Sequence, residues 1–256
     1  MRKADSIPAF DRTAVIIPAL NEARNLEILL PELRRFNPAQ ILVCDNGSTD
    51  DTRSVVERLG ATWVFEPRRG YGSACFAGIR RLTRDIEIVA FFDADLSDDS
   101  QRLPELVLPI GSSECDLVIG ARVRELREPG AASLAQRVAN RLFPMLMHLG
   151  WGRRYRDMGP FRAIRRASLD AMNVQDRAYG WNIEMQIRAV EMGLRIREIP
   201  VPHRRRRFGN SHISGNVRGI LRAAYGITRT CAVLWLTKQS RRARHPVAGS
   251  PSPSRP

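Results

Sequence analysis

Cysteine is scarce in this sequence of 256 residues: Cys44, Cys75, Cys115 and Cys231 stand far apart, with none of the paired spacing of a zinc site or a disulfide framework. Cys44 and Cys75 lie among apolar or small residues, as buried thiols do, and this points to a reducing, cytosolic setting. Met1 to Phe10 lacks an apolar core of the length a secretory signal needs, so export is not expected. Acidic residues are missing altogether beyond Glu198, where twelve cations from Arg204 to Arg255 follow without an anion. The first 198 residues hold the other 29 of the 41 Lys and Arg residues against all 27 Asp and Glu residues, so most of the net charge of +14 belongs to the C-terminal quarter. A field of that sign draws phosphates or an anionic membrane surface; from Lys238 onward a solvated, disordered basic tail (238–256) is the plainer reading. These cations lack interleaved aromatics for base stacking, which argues against a basic nucleic-acid-binding protein.

A 43% hydrophobic composition suffices for one large globular domain, here 1–237. Residues 13 to 120 alternate short apolar runs with helical patterns. Thr13 to Ile17 is a β-branched run, and Glu22 to Phe36 carries Leu26, Leu29, Leu30 and Leu33 at helical spacing. Ile41 to Cys44 is followed by the turn residues Asp45, Asn46 and Gly47, after which Ser48 or Thr49 can cap a helix to about Leu59. Thr62 to Phe65, a helix over 70–82, Ile86 to Phe92 and Asp116 to Ile119 continue the alternation. The pattern is α/β, with a mostly parallel central sheet flanked by helices. Ligands of such sheets bind outside the carboxyl ends of the strands, which singles out the loops 18–22, 45–50, 93–98 and 120–122. Further on, helices are expected over 131–149 and 181–192, and strands over 161–164 and 194–199. Asn216 to Leu236 is apolar enough to raise the question of a membrane span, but Arg218, Arg222 and Arg229 fall on one side of a helical wheel. Each arginine costs about 2.5–3.5 kcal/mol at a bilayer centre, so an amphipathic helix at an interface or packed on the core is expected instead.

The sharpest chemical signal is Phe91, Phe92, Asp93, Ala94, Asp95, an apolar strand ending in two acids one residue apart. Their mutual repulsion calls for solvent or a cation, and a hard oxygen-liganded ion such as Mg2+ or Mn2+ fits. A solvated Asp turn, with Asp98 and Ser100 capping a helix, is the structural alternative. Taken with VIIPALNE (15–22), LVCDNGSTDD (42–51), FFDADLSDD (91–99), RRGYGSACFAGI (68–79), VIGAR (118–122), MGPFRAIRR (158–166), YGWNIEM (179–185) and RFGNSHISG (207–215), the chain resembles the family 2 glycosyltransferases. The resemblance is nearest to the branch of dolichol-phosphate mannosyltransferases and related polyprenyl-phosphate sugar transferases, and it spans roughly 13–236.

That resemblance implies a GT-A type nucleotide-sugar-binding fold. It implies that Pro18, Ala19 and Glu22 line a nucleoside pocket, that Asp45 accepts a hydrogen bond from the base, and that Gly72 lets backbone approach the nucleotide. Asp93 and Asp95 would hold the metal on the diphosphate of a UDP- or GDP-linked sugar, with Arg122 on the donor side, and transfer would invert the anomeric carbon. If the acceptor is a polyprenyl phosphate, already largely a dianion at neutral pH, it needs positioning and charge neutralisation, which Arg204 to Arg207 offer, Arg205 and Arg207 foremost. A hydroxyl acceptor needs a base instead, for which Asp157 and Glu184 are the candidates; Glu184 can equally pair with Arg188 four residues on. The chain departs from the family in three places: Asp45-Asn46-Gly47-Ser48 replaces Asp-Asp-Gly-Ser, Ser97 replaces a metal-assisting Gln, and Ser211-His212 replaces a Ser-Lys pair. A histidine that is neutral at pH 7 neutralises a phosphate less well than a lysine. The expected setting is the cytoplasmic face of a membrane, in peripheral contact with anionic lipid.

Overall fold

The first β-branched run becomes strand β1, Thr13–Ala19, buried along nearly its whole length. A strand covered on both faces needs no polar alternation, and this is why the run reads as continuous apolar sequence. The computed structural model describes residues 9–131, 134–209 and 217–244. In chain order, β1 is followed by α1 (Ala23–Arg34), β2 (Gln40–Asp45), α2 (Thr52–Arg58), β3 (Thr62–Phe65), α3 (Tyr71–Ile79), β4 (Ile88–Phe91) and α4 (Leu103–Gly111). Then come β5 (Leu117–Arg127), α5 (Leu134–Trp151), β6 (Arg162–Arg165), α6 (Arg166–Met172), α7 (Trp181–Glu191), β7 (Ile196–His203) and α8 (Val217–Arg244).

The strands form one seven-stranded sheet in the order β3-β2-β1-β4-β6-β5-β7. β1 pairs in parallel with β2 and β4, β2 with β3, and β5 with β7, whereas β6 runs antiparallel to both of its neighbours. Six carboxyl ends and the amino end of β6 therefore share one edge, the expected place for a ligand. Successive strand residues feed two separate cores. Ala14, Ile16, Leu42, Cys44, Val89 and Phe91 face α3 and the later helices, with Trp151, Trp181 and Cys231. Val15, Ile17, Val43, Ile88 and Ala90 face α1, α2 and α4 through Leu26, Leu30, Val55 and Leu106. All four cysteines are free and buried.

Several boundaries differ from the sequence reading. Ser48 and Thr49 do not cap α2; that helix begins at Thr52, and the two side chains bond to Asp45 and Asn21 instead. The helix expected over 216–236 runs on to Arg244, so the tail does not begin at Lys238, whose ammonium donates to the Gly150 carbonyl at 2.7 Å. Residues 245–256 lie outside the described residues. Along α8, Cys231 and Leu234 are buried and Ile227 packs on the core, while Arg229 is exposed, as the wheel implied for these four; the side chains of Arg218, Ile220, Arg222 and Ala223 lie outside the described residues. Helices α4 and α6 went unread. In α4, prolines at 104 and 109 interrupt a pattern whose Leu103, Leu106, Val107 and Ile110 are all buried. Among the described residues no helix is long and apolar enough to cross a membrane.

α3 lies tight on the sheet because Gly78 has no side chain: a Cβ there would stand 2.7 Å from Ile16 and 2.8 Å from the Cys44 sulfur. Gly78→Leu is expected to lower stability by about 1–3 kcal/mol through overpacking, read as a lower denaturation midpoint at an unchanged m-value.

Candidate active site

The loops after β1 and β2 are knitted together at the shared edge. Asn21 takes a left-handed φ of 57°, which short polar side chains tolerate. Its N–H donates to Ser48 Oγ at 2.8 Å, and its Oδ1 accepts from the Thr49 N–H at 2.7 Å. Asp45 is buried: Oδ1 accepts from the Ser48 N–H and hydroxyl at 2.8 and 2.7 Å, and Oδ2 accepts from Trp63 Nε1 at 3.1 Å. Pro18 and Ala19 close β1 beside Cys44 and Asp45 of β2. Gly72 does permit a close backbone approach, but to the chain itself: a Cβ would stand 2.4 Å from the Asp176 carbonyl oxygen.

Past β4 the chain carries its acids into the centre of the edge. Asp93 is half-buried, with no hydrogen-bond or ion-pair partner among the described residues. Burial, and then the neighbouring Asp95, push its carboxyl up to about 8, against the opposing pull of Arg122. Asp95 accepts from the Ser97 N–H at 3.0 Å, a turn that forces Leu96 to a φ of 63°. A non-glycine residue there costs on the order of 1–3 kcal/mol, and such outliers concentrate at functional sites. Asp98 does not cap a helix, as the structural alternative would have it, but receives a two-pronged Arg122 guanidinium at 2.8 and 2.7 Å; capping the 3-10 turn at 100–102 falls to Asp99. Burial disfavours the charge of Arg122, but Asp98, Asp157 and Asp93 more than offset it, so the cation is held more firmly than in an ordinary arginine.

Asp157, just ahead of β6, completes this cluster: its two oxygens accept from the backbone N–H groups of Arg122 and Met158 at 3.1 and 2.8 Å. Glu22 enters from the loop after β1, with Asn25 donating to Oε2 at 2.6 Å and the Arg206 guanidinium to Oε1. Five carboxyl groups, Glu22, Asp93, Asp95, Asp98 and Asp157, thus meet two guanidiniums, those of Arg122 and Arg206. The excess of acid, with Asp93 unpartnered, is the donor set a hard divalent cation takes. Among the described residues no three His, Cys, Asp or Glu side chains close around one point, so such a cation would draw its other ligands from phosphate and water.

The basic loop behaves less uniformly than its sequence. Arg204 pairs with Asp99 at 3.0 Å, Arg205 turns away to the Pro129 carbonyl, and Arg206 points into the acids. Arg207 has no ion-pair partner among the described residues and lies 5.7 Å from the Phe208 ring. Ser211 and His212 lie outside the described residues. Glu184 stands apart, on the first turn of α7, accepting from the N–H groups of Gln175 and Asp176 at 3.0 and 2.7 Å and from Arg188 at 3.0 Å. Two residues had no place in the sequence reading. His203 ends β7 and is held neutral, its pKa pushed down to about 3 by burial first and then by Arg122 and Arg127. Arg162 is fully buried and ties the carbonyls of Met158, Gly159 and Asn182 together; its place within MGPFRAIRR was the one available signal.

Because the carboxyl of Asp93 gains a proton on folding without metal, its contribution to stability is complete below pH 4 and is lost as pH rises through about 8. Asp93→Asn is therefore expected to melt higher than the parent in metal-free buffer at pH 9, with the difference closing towards pH 5, as scanning calorimetry would show.

Comparisons with known proteins agree with this geometry. The family model for Glycosyl transferase family 2 matches residues 14–172. An uncharacterised glycosyltransferase of Mycobacterium tuberculosis is 38% identical over 221 residues, covering 82% of this chain and 94% of the relative. The undecaprenyl-phosphate mannosyltransferase of Micrococcus luteus is 30% identical over 236 residues, covering 85% and 93%. Among solved structures, glucosyl-3-phosphoglycerate synthase of M. tuberculosis in complex with Mn2+, UDP-glucose and phosphoglyceric acid superposes with a TM-score of 0.69 at 21% identity, over 91% of this chain and 86% of that one. That likeness identifies the fold as GT-A. With the family model spanning more than half of its length, the chain belongs to glycosyl transferase family 2 and is a glycosyltransferase.

Proposed function

We propose that this enzyme moves a sugar from a UDP- or GDP-linked donor to a polyprenyl phosphate at the cytoplasmic face of a membrane, with a divalent cation and with inversion. The observation that carries the donor half is the unpartnered Asp93 beside Asp95 at the edge where the strands end. A cation held by these two would screen the diphosphate and stabilise the charge appearing on the departing nucleoside diphosphate. Arg122, locked to Asp98, supplies a fixed positive charge beside the pair, and its rigidity means it need not reorganise as charge develops. Loops 18–22 and 45–52, cross-linked through Asn21 and Ser48, form a rigid wall for the nucleoside.

Two observations favour a phosphate over a hydroxyl as the acceptor. Both base candidates have their oxygens already engaged within the protein: those of Asp157 accept from two backbone N–H groups, and those of Glu184 from two backbone N–H groups and from Arg188, so neither carboxylate stands uncommitted beside the metal pair to receive a hydroxyl. A phosphate dianion needs no base, only cations, which the loop 204–207 supplies. The lipid half of the reading draws on an uncovered stripe along α5: Leu142, Met145, Leu146 and Leu149 are exposed at helical spacing, beside the exposed Trp235 and Leu236 of α8. Such an apolar stripe next to basic α8 suits an anionic bilayer surface. The relative that acts on undecaprenyl phosphate supports the same acceptor class.

Four measurements bear on these halves separately. UDP or GDP should raise the melting temperature only with Mn2+ or Mg2+ present; no stabilisation by either nucleotide would remove the donor reading. Asp95→Asn should cut turnover at least about a hundredfold with the fold intact, since metal stabilisation is worth several kcal/mol. Label from the donor should pass into organic extract only when polyprenyl phosphate is supplied, and Leu146→Asp with Leu149→Asp should weaken co-sedimentation with anionic vesicles about tenfold or more. Unchanged sedimentation would discard the membrane face and leave the chemistry standing.

A further inference from the structure

Four consecutive arginines follow β7, and the backbone beneath them is fixed independently of their side chains. The N–H groups of Arg204 and Arg207 donate to the carbonyls of Ser97 and Asp95 at 2.8 and 3.3 Å, so the loop lies along the acidic turn after β4 almost as an added strand. The Phe208 carbonyl accepts from Asn25 Nδ2 at 3.2 Å, and the Arg24 guanidinium covers the Phe208 ring at 4.3 Å, which anchors the far end to α1. Held this way, the backbone delivers Arg206 to one spot. Its Nη2 donates to Glu22, its Nη1 lies 3.4 Å from Asp95 Oδ2, and its Nε donates to the Phe208 carbonyl at 2.8 Å. The guanidinium thus sits between two acids from loops 73 residues apart in sequence, one of them half of the metal pair.

We propose that Arg206 is the resident counter-ion of the ligand-free site, occupying the acidic cleft between Glu22 and Asp95 that a divalent cation must enter, and that it swings out when metal and donor bind. The inference rests on the metal reading of Asp93 and Asp95. Its physical basis is competition. Asp95 Oδ2 cannot keep a guanidinium at 3.4 Å and also bind a divalent cation, because the two positive charges would then stand within a few ångströms in a poorly solvated cleft. The neighbours do not share this constraint: Arg204 is paired with Asp99 and Arg122 with Asp98, away from Asp95. Since the loop backbone is anchored at Ser97, Asp95 and Asn25, release of the side chain needs rotamer changes only, and the freed cation stays on the loop opposite the acidic turn. There it is available to an incoming anion. Donor binding would in this way prime the acceptor side, and acceptor phosphate would meet one cation fewer in the absence of donor.

The test is Mn2+ binding to the nucleotide-free full chain, followed by paramagnetic resonance of free Mn2+ and by titration calorimetry, for the parent, Arg206→Gln, Arg204→Gln and Asp95→Asn. Arg206→Gln should bind Mn2+ at least about fivefold more tightly than the parent, and should melt lower than the parent without metal, the deficit shrinking as Mn2+ is added. Arg204→Gln removes the same charge from the same loop and should tighten binding less than twofold. Equal tightening by both variants would show a general field effect and overturn the counter-ion role, and unchanged or weaker Mn2+ binding by Arg206→Gln would overturn it directly. If the parent and Asp95→Asn bind Mn2+ equally, the metal reading itself fails, which is an outcome distinct from the other two.

Discussion

Repulsion between carboxylates that the fold forces together is the constraint around which this molecule is arranged. Glu22, Asp93, Asp95, Asp98 and Asp157 arrive from three different connections, and three of them have less than a tenth of their surface exposed. An arrangement of that kind persists only if cations are supplied or protons retained, and both devices are present. Arg122 neutralises Asp98, Arg206 neutralises Glu22 and reaches Asp95, and the raised pKa of Asp93 keeps a proton where no cation stands. The remaining deficit of positive charge is what a divalent cation would supply under the proposed function.

The sheet explains why the deficit forms at this place. β1 and β4 are parallel neighbours, so Glu22 and Asp93 leave the sheet side by side. Insertion of β6 in the reverse direction between β4 and β5 puts the chain just before β6, with Asp157, at the same edge as the ends of β4 and β5. β5 runs past the sheet to Arg127, and β7 pairs along it to His203, which aims the arginine loop back over the acids. Fixing these groups on strand ends, and pinning the connecting turns by Asn21 and Leu96 in left-handed conformations, gives a site with little freedom to relax the repulsion by moving apart.

Away from the edge, the same fold leaves one face incompletely covered. α5 and α8 pack inward through Met147, Trp151, Cys231 and Leu234, yet α5 keeps a second apolar stripe on its outer side. An exposed stripe of leucine and methionine is costly to hydrate, and it lies on the layer of helices that covers the sheet opposite α1, α2 and α4. A lipid-linked acceptor would reconcile the two features, because its phosphate requires the cationic loop and its chain requires an apolar surface.

Sequence alone determined the alternation of strands and helices, the placement of Asp93 and Asp95 at a strand end, and the family. These are local properties: apolar periodicity, acids following a buried run, and motifs in a fixed order. The amphipathic division of α8 was legible for the same reason, through the wheel positions of Arg229, Cys231 and Leu234. Where local pattern failed, a non-local partner had decided the outcome. The direction of β6 depends on strands that begin 74 and 45 residues before it does, and α8 extends beyond its apolar stretch to where Lys238 meets the Gly150 carbonyl. The pairing of Arg122 with Asp98, the commitment of Asp157 and Glu184 to backbone N–H groups, and the separate fates of Arg204, Arg205, Arg206 and Arg207 were likewise invisible. Four identical side chains in a row carry no information about their targets; only the register of the loop against the acidic turn, set by tertiary hydrogen bonds, assigns one of them to the acidic cleft between Glu22 and Asp95.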